Sequence, residues 1–141
     1  MNAPKPAPSN SNDDEDLLRV AHAAAALAYS PYSHIRVGAA LLGADGAVYS
    51  GCNVENASYG LTICAERSAV TRAVASGTQR FAAIAIATDR PQGFMPCGAC
   101  RQVLAEFAPD MLVIVQGTAG PIVRAKLSEL LPRAFQPEDL R

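Results

Sequence analysis

Apolar positions recur along this chain with a helical period in some stretches and run unbroken at strand length in others. Leu17, Leu18, Ala21, Ala25 and Ala28 form one helical stripe. It predicts a first helix capped by Asp13 or Asp14, running to about Tyr29 and stopped by Pro31. Residues 37–42 and 48–54 have strand composition, and Ala44-Asp45-Gly46 between them has the residue types of a hairpin turn. A loop through Gly60 follows. The helical period returns over residues 63–76, with Ile63, Val70, Ala73 and Val74 inward and Gly77 as the stop. Residues 81–88 are apolar throughout, the pattern of a strand buried on both faces. Residues 89–96 read as a loop and 97–107 as a helix ended by Pro109. A strand over 111–116, a turn over 117–120, a strand over 122–125 and a short helix over 127–131 complete the pattern.

Strands alternating with helices predict the α/β class, a three-layer α/β/α domain around a mixed sheet. Residues 1–13, with Pro4, Pro6 and Pro8 among polar neighbours, are expected to be a disordered tail, leaving residues 14–141 as one domain. Half of the 141 residues are apolar, and the formal net charge is −1. With no basic run, that charge speaks against nucleic acid and for a small neutral partner. No apolar stretch is long enough to span a bilayer and the N-terminus has no secretory pattern, so the expected location is cytoplasmic. In that compartment the four cysteines are expected to be thiols or metal ligands rather than disulfides.

Three of them carry the chemistry. Cys97 and Cys100 stand in Pro96-Cys97-Gly98-Ala99-Cys100, and Cys64 precedes Glu66 in Cys64-Ala65-Glu66. Both clusters fall where a predicted helix begins. Two helix N-termini aimed at one spot create a positive field, which favours the thiolates a metal needs. Three thiolates suit Zn²⁺ and leave a fourth position for water, the pattern of a catalytic site. Glu66, two residues from a ligand, is placed to move that water's protons, as in zinc deaminases whose glutamate is not itself a ligand. Other readings stay open. Cys97-x-x-Cys100 alone fits a thioredoxin-like dithiol. A structural zinc would want a fourth protein ligand, for which Cys52 is the spare cysteine, though a strand thiol is the simpler account of it. His22 and His34 read as bystanders.

From about Leu17 to Leu140 the sequence resembles the homotetrameric zinc-dependent cytidine deaminase family. The resemblance rests on 29-Tyr-Ser-Pro-Tyr-Ser-33, 37-Val-Gly-Ala-Ala-40, 51-Gly-Cys-Asn-Val-Glu-Asn-Ala-Ser-Tyr-59, 64-Cys-Ala-Glu-Arg-67, 96-Pro-Cys-Gly-Ala-Cys-Arg-Gln-102 and 130-Leu-Leu-Pro-132, in that order. It implies a five-stranded mixed sheet and one zinc per chain on Cys64, Cys97 and Cys100. It further implies hydrolysis of cytidine, and of 2′-deoxycytidine, to the uracil nucleoside and ammonia in pyrimidine salvage. Zinc-activated water attacks C4 and Glu66 shuttles the protons. Asn53 and Glu55 are implied to hydrogen-bond the ribose. Ile35, Val54, Asn56, Ala57, Ser58 and Ala65 are implied to complete the substrate pocket. Tyr59 and Phe135 would reach a neighbouring subunit's site in a homotetramer. Arg67 is expected to donate to thiolate sulfur and so temper the net −1 of a three-thiolate zinc. A base deaminase or a tRNA-acting deaminase is the rival within this chemistry. The Asn53-x-Glu55 pair and the near-neutral charge speak for a free nucleoside. One departure stands out. Where the family pattern has an aromatic residue followed by Pro, this chain has Ile35 and Arg36. Ile35 can wall a pyrimidine but has no π-face.

Overall fold

The strand Phe81-Ala-Ala-Ile-Ala-Ile-Ala-Thr88 organises the domain. In a computed structural model, which describes residues 11–141, it is the central strand β3, and all eight of its residues are buried. The remaining elements are α1 (Ser11–Ala25), β1 (Val37–Gly43), β2 (Val48–Cys52), a 3-10 turn (Tyr59–Leu61), α2 (Ala65–Ala75), α3 (Gly98–Phe107), β4 (Leu112–Gln116), β5 (Val123–Lys126), α4 (Leu127–Leu130) and a C-terminal 3-10 turn (Pro137–Leu140). The sheet order is β2-β1-β3-β4-β5, with β3 and β4 parallel and every other pair antiparallel. This is the five-stranded mixed sheet between helical layers that the pattern and the resemblance imply. The expected tail over residues 1–10 lies outside the described residues, whereas Ser11 to Asp13 belong to α1.

Alternation along the strands sorts the two faces by size. Ile84 and Ile86 of β3, Leu41 of β1 and Val113 and Val115 of β4 pack with Val70 of α2, Leu104 of α3 and Leu127 of α4. Ala83, Ala85 and Ala87, with Ala40, face Leu17, Leu18 and Ala21 of α1. Small residues on the second face let α1 lie close. A Cβ at Gly38 would sit 1.9 Å from the Ala21 carbonyl oxygen. On the opposite face, a Cβ at Gly51 would lie 2.4 Å from the Ala69 nitrogen, so α2 is pressed onto β2. Asp14, fully buried, pairs with Arg124 and ties the start of α1 to β5.

Several boundaries differ from the sequence pattern. α1 ends at Ala25, not Tyr29, because the Tyr29 backbone is taken by a distant segment. Its N–H donates to the Asn53 carbonyl at 3.0 Å, and the Glu55 N–H donates back to Tyr29 at 2.9 Å. β2 ends at Cys52, not Val54, because the Asn53 side chain replaces the ladder. Its Oδ1 accepts from the Val37 N–H and its Nδ2 donates to the Ile35 carbonyl, both at 2.8 Å. Ile63, expected on the inner face of α2, is instead 43% exposed and precedes that helix. Its backbone is bound to Val54 in a short antiparallel bridge. The C-terminal stop of α2 is as expected, with Gly77 at φ 94°. Both 3-10 turns went unpredicted, being too short to carry a period.

Candidate active site

Topology brings the two cysteine segments together. β2 and β3 both run antiparallel to β1, so they run parallel to each other, and α2 and α3 follow them on the same face of the sheet. The N-termini of both helices therefore lie towards the carboxyl ends of these strands, the usual place for a site in open α/β sheets. Cys64 is the N-cap residue of α2 and Cys97 that of α3, and neither side chain makes a capping hydrogen bond. Their sulfurs are thus left for another partner. Cys100, fully buried, lies in the first turn of α3.

The three sulfurs lie within 4.8 Å of one another, and Cys64 Sγ is 3.8 Å from Cys97 Sγ. A tetrahedral zinc with bonds of about 2.3 Å needs sulfurs about 3.8 Å apart. Arg67 donates from Nη2 to Cys64 Sγ at 3.5 Å. The Cys100 thiol, Arg67 and the Cys97 thiol all donate to Cys64 and pull its thiol down to about 5. Cys100, which gives its proton to that hydrogen bond and is buried, is pushed up. Glu66 is only 5% exposed, and burial raises its carboxyl above the ordinary value.

The metal-binding cluster opens into a cleft of about 260 Å³. Ile35, Asn53, Ala65, Glu66, Phe94 and the cysteines Cys64 and Cys97 line it. A second cavity of about 240 Å³, lined by Tyr32, Glu55 and Tyr59, adjoins it through Ser33 and Thr62. Neither alone reaches the about 300–1,000 Å³ of small-molecule sites, whereas the two together do.

A family profile described as "Cytidine and deoxycytidylate deaminase zinc-binding region" matches residues 11–116. The chain is 46% identical over 129 residues to a cytidine deaminase of Sporosarcina psychrophila, covering 91% of this chain and 95% of that one. Identity to the cytidine deaminase of Halalkalibacterium halodurans is 49%, covering 91% and 98%. The crystal structure of a cytidine deaminase from Burkholderia pseudomallei superposes with a TM-score of 0.82 at 47% identity, over 86% of this chain and 98% of that one. The chain belongs to the zinc-dependent cytidine deaminase family.

As in that zinc-binding family, Cys64, Cys97 and Cys100 hold one zinc per chain. Cys52, half-buried in β2, is not in the cluster, so no fourth cysteine closes the site. A dithiol of Cys97 and Cys100 alone leaves the third sulfur, at contact distance, unexplained.

The other residues that the family resemblance singles out fall into three groups. Ile35, Asn53 and Ala65 share the metal-side cleft with Glu66. Glu55 and Tyr59 line the adjoining cavity. The Glu55 carboxylate accepts from the Tyr32 N–H at 2.9 Å, the Ser33 N–H at 3.1 Å and the Ser33 hydroxyl at 2.5 Å. The Ser33 hydroxyl, foremost among these, holds the Glu55 carboxyl below its usual range. Tyr59 packs edge-on against Tyr32, ring centres 5.6 Å apart. Val54, Asn56, Ala57, Ser58 and Phe135 line neither cavity. Val54 bridges to Tyr29 and Ile63 through its backbone, and the Asn56 side-chain Oδ1 accepts from the Ser58 N–H at 2.9 Å in a local turn. Phe135 is 59% exposed. Ser33, Thr62, Phe94 and Met95 were missed as lining residues. Ser33 stood in a matched motif, and an aromatic two residues before Pro96-Cys97 was a signal available for Phe94.

Proposed function

We propose that this enzyme hydrolyses the 4-amino group of cytidine and 2′-deoxycytidine, giving the uracil nucleoside and ammonia. The observation that carries this reading is a buried carboxyl, Glu66, beside a three-thiol zinc site open to a cleft that continues into a second cavity of similar size. Zinc there supplies a water of lowered pKa as nucleophile. Glu66 accepts the water's proton and delivers it to N3 of the pyrimidine as C4 is attacked, then takes the second proton from the new C4 hydroxyl and passes it to the leaving amino group. A carboxyl whose pKa is raised by burial can hold a proton between such transfers. Arg67, donating to Cys64 Sγ, draws charge from the thiolates and keeps the metal acidic.

The sugar occupies the adjoining cavity. Glu55 accepts from a ribose hydroxyl there, and Asn53, from the metal-side cleft next to it, adds the amide hydrogen not spent on the Ile35 carbonyl. Val54, Asn56, Ala57 and Ser58 shape the loop from Asn53 to Tyr59. Loss of a hydrogen bond to a charged group means that Glu55→Ala should lower kcat/KM for cytidine by about tenfold to a hundredfold. Free cytosine, which has no sugar, should lose far less. An equal loss on both, measured by ultraviolet assay, counts against the assignment. Because the carboxyl pKa of Glu55 is depressed, it remains an acceptor until the pH falls below the ordinary carboxylate range.

Tyr59 is 75% exposed although it borders the site, and exposed Val54, Leu61 and Ile63 lie nearby in sequence. These residues, with Phe135, are the proposed contacts through which neighbouring subunits of a homotetramer complete one another's pockets. Sedimentation should therefore find no fully active monomer. None of the helices among the described residues is long and apolar enough to cross a membrane. A cytoplasmic place in pyrimidine salvage fits a nucleoside substrate. The deciding experiment is ammonia release from cytidine, 2′-deoxycytidine, cytosine and CMP, with zinc analysis of the same sample. Turnover of both nucleosides with about one zinc per chain is expected, and a zinc-loaded protein inert on cytidine overturns the reading.

A further inference from the structure

Ile35 gives the metal-side cleft an aliphatic wall where the family pattern has an aromatic one. Phe94 enters the same cleft from a different segment, the loop between β3 and α3. That loop is held from both ends. The Thr118 N–H donates to the Arg90 carbonyl at 2.8 Å and the Ala119 N–H to the Pro91 carbonyl at 3.1 Å. A Cβ at Gly93 would stand 2.9 Å from the Gln116 nitrogen, so this turn lies hard against the end of β4. Beyond Phe94, Pro96 is buried and its carbonyl accepts from Arg101 Nε at 2.7 Å. Within this fixed stretch the two large apolar side chains part ways. Met95 packs against the main core, while Phe94 stays 39% exposed and borders the cleft with Ile35, Glu66 and Cys97. Among the described residues, Phe94 belongs to neither hydrophobic cluster of the core.

We propose that Phe94 is a specificity-determining residue of the pyrimidine subsite, supplying the aromatic surface that Ile35 lacks. The proposal rests on the reading of the cleft as a cytidine site. A ring held in place before the ligand arrives loses little entropy on contact, and aromatic contact strengthens binding beyond the area it buries. The contact is made equally to ground state and transition state, so it acts on KM and not on the proton transfers at Glu66.

The test uses zinc-loaded full-length protein as wild type, Phe94→Leu, and Phe94→Leu combined with Ile35→Phe. Cytidine kinetics, uridine affinity by calorimetry, zinc content and sedimentation are measured on each. Phe94→Leu should raise the cytidine KM and the uridine Kd about three- to tenfold, with kcat within about twofold and zinc content and assembly size unchanged. Adding Ile35→Phe should recover most of that loss by returning a ring to the other wall. The proposal is overturned by unchanged KM and Kd. It is equally overturned if they rise only together with loss of zinc or altered sedimentation, since the ring then serves the Cys97 loop or a subunit contact. Failure of the underlying reading looks different, because the wild type itself would release no ammonia from cytidine and the Phe94 proposal would fall with it.

Discussion

Glu66→Gln is expected to lower kcat by at least about 10³-fold while zinc stays bound and KM changes little. Gln keeps the size and the hydrogen-bonding reach of the side chain but can neither take nor give a proton. One general acid–base step contributes about 10²–10⁴-fold, and the proposed shuttle gives Glu66 four transfers: from water, to N3, from the C4 hydroxyl and to the amino group. The fold should tolerate the change. Glu66 is buried and its carboxyl pKa is raised, chiefly by desolvation. A raised carboxyl pKa means that its contribution to stability is present below the unfolded pKa and fades as the pH rises through the folded one. At neutral pH a neutral amide therefore does not weaken the fold through lost charge. Single-turnover rates and metal analysis on the same preparation provide the check. A zinc-loaded variant within tenfold of wild type would show that the shuttle lies elsewhere.

Cys97→Ala should remove both zinc and activity, and it is the most informative of the three ligand substitutions. Cys100 is fully buried, so its loss also leaves a hole in the core. Cys97 is exposed at the start of α3 and makes no capping hydrogen bond, so its replacement opens no cavity. Any fall in Tm then reports the lost metal. Binding of zinc to the native state alone stabilises it by mass action, so the Tm of Cys97→Ala should match that of chelator-treated wild type. Zinc should fall from about one per chain to a trace, and deamination should fall below detection. Full activity of a wild-type sample stripped of zinc would overturn the metal's role.

How legible each part was depended on how far its cause lay along the chain. The central strand was readable because its fate is set by its own eight residues. Even the facing of its isoleucines and alanines follows from the two-residue period. The zinc ligands were readable because Cys64-Ala65-Glu66 and Pro96-Cys97-Gly98-Ala99-Cys100 each place their groups on one helical turn. The ends of α1 and β2 and the start of α2 were not, because competing long-range bonds set them. The Tyr29 backbone pairs with Asn53 and Glu55, and the Asn53 amide stands in for a strand.

By itself, then, the sequence determined which residues form helices and strands, which groups are chemically able to bind zinc and move protons, and which motifs tie the chain to its family. Covalent spacing and side-chain period fix those things within a few residues. The tertiary structure decided what meets what. The sheet order β2-β1-β3-β4-β5 carries Cys64 to within 3.8 Å of Cys97 across 33 positions. The close packing of Gly93 on Gln116 holds the loop that brings Phe94 to the cleft wall beside Ile35. Such meetings depend on strand order and on the volumes packed between distant segments, and no local spacing encodes either.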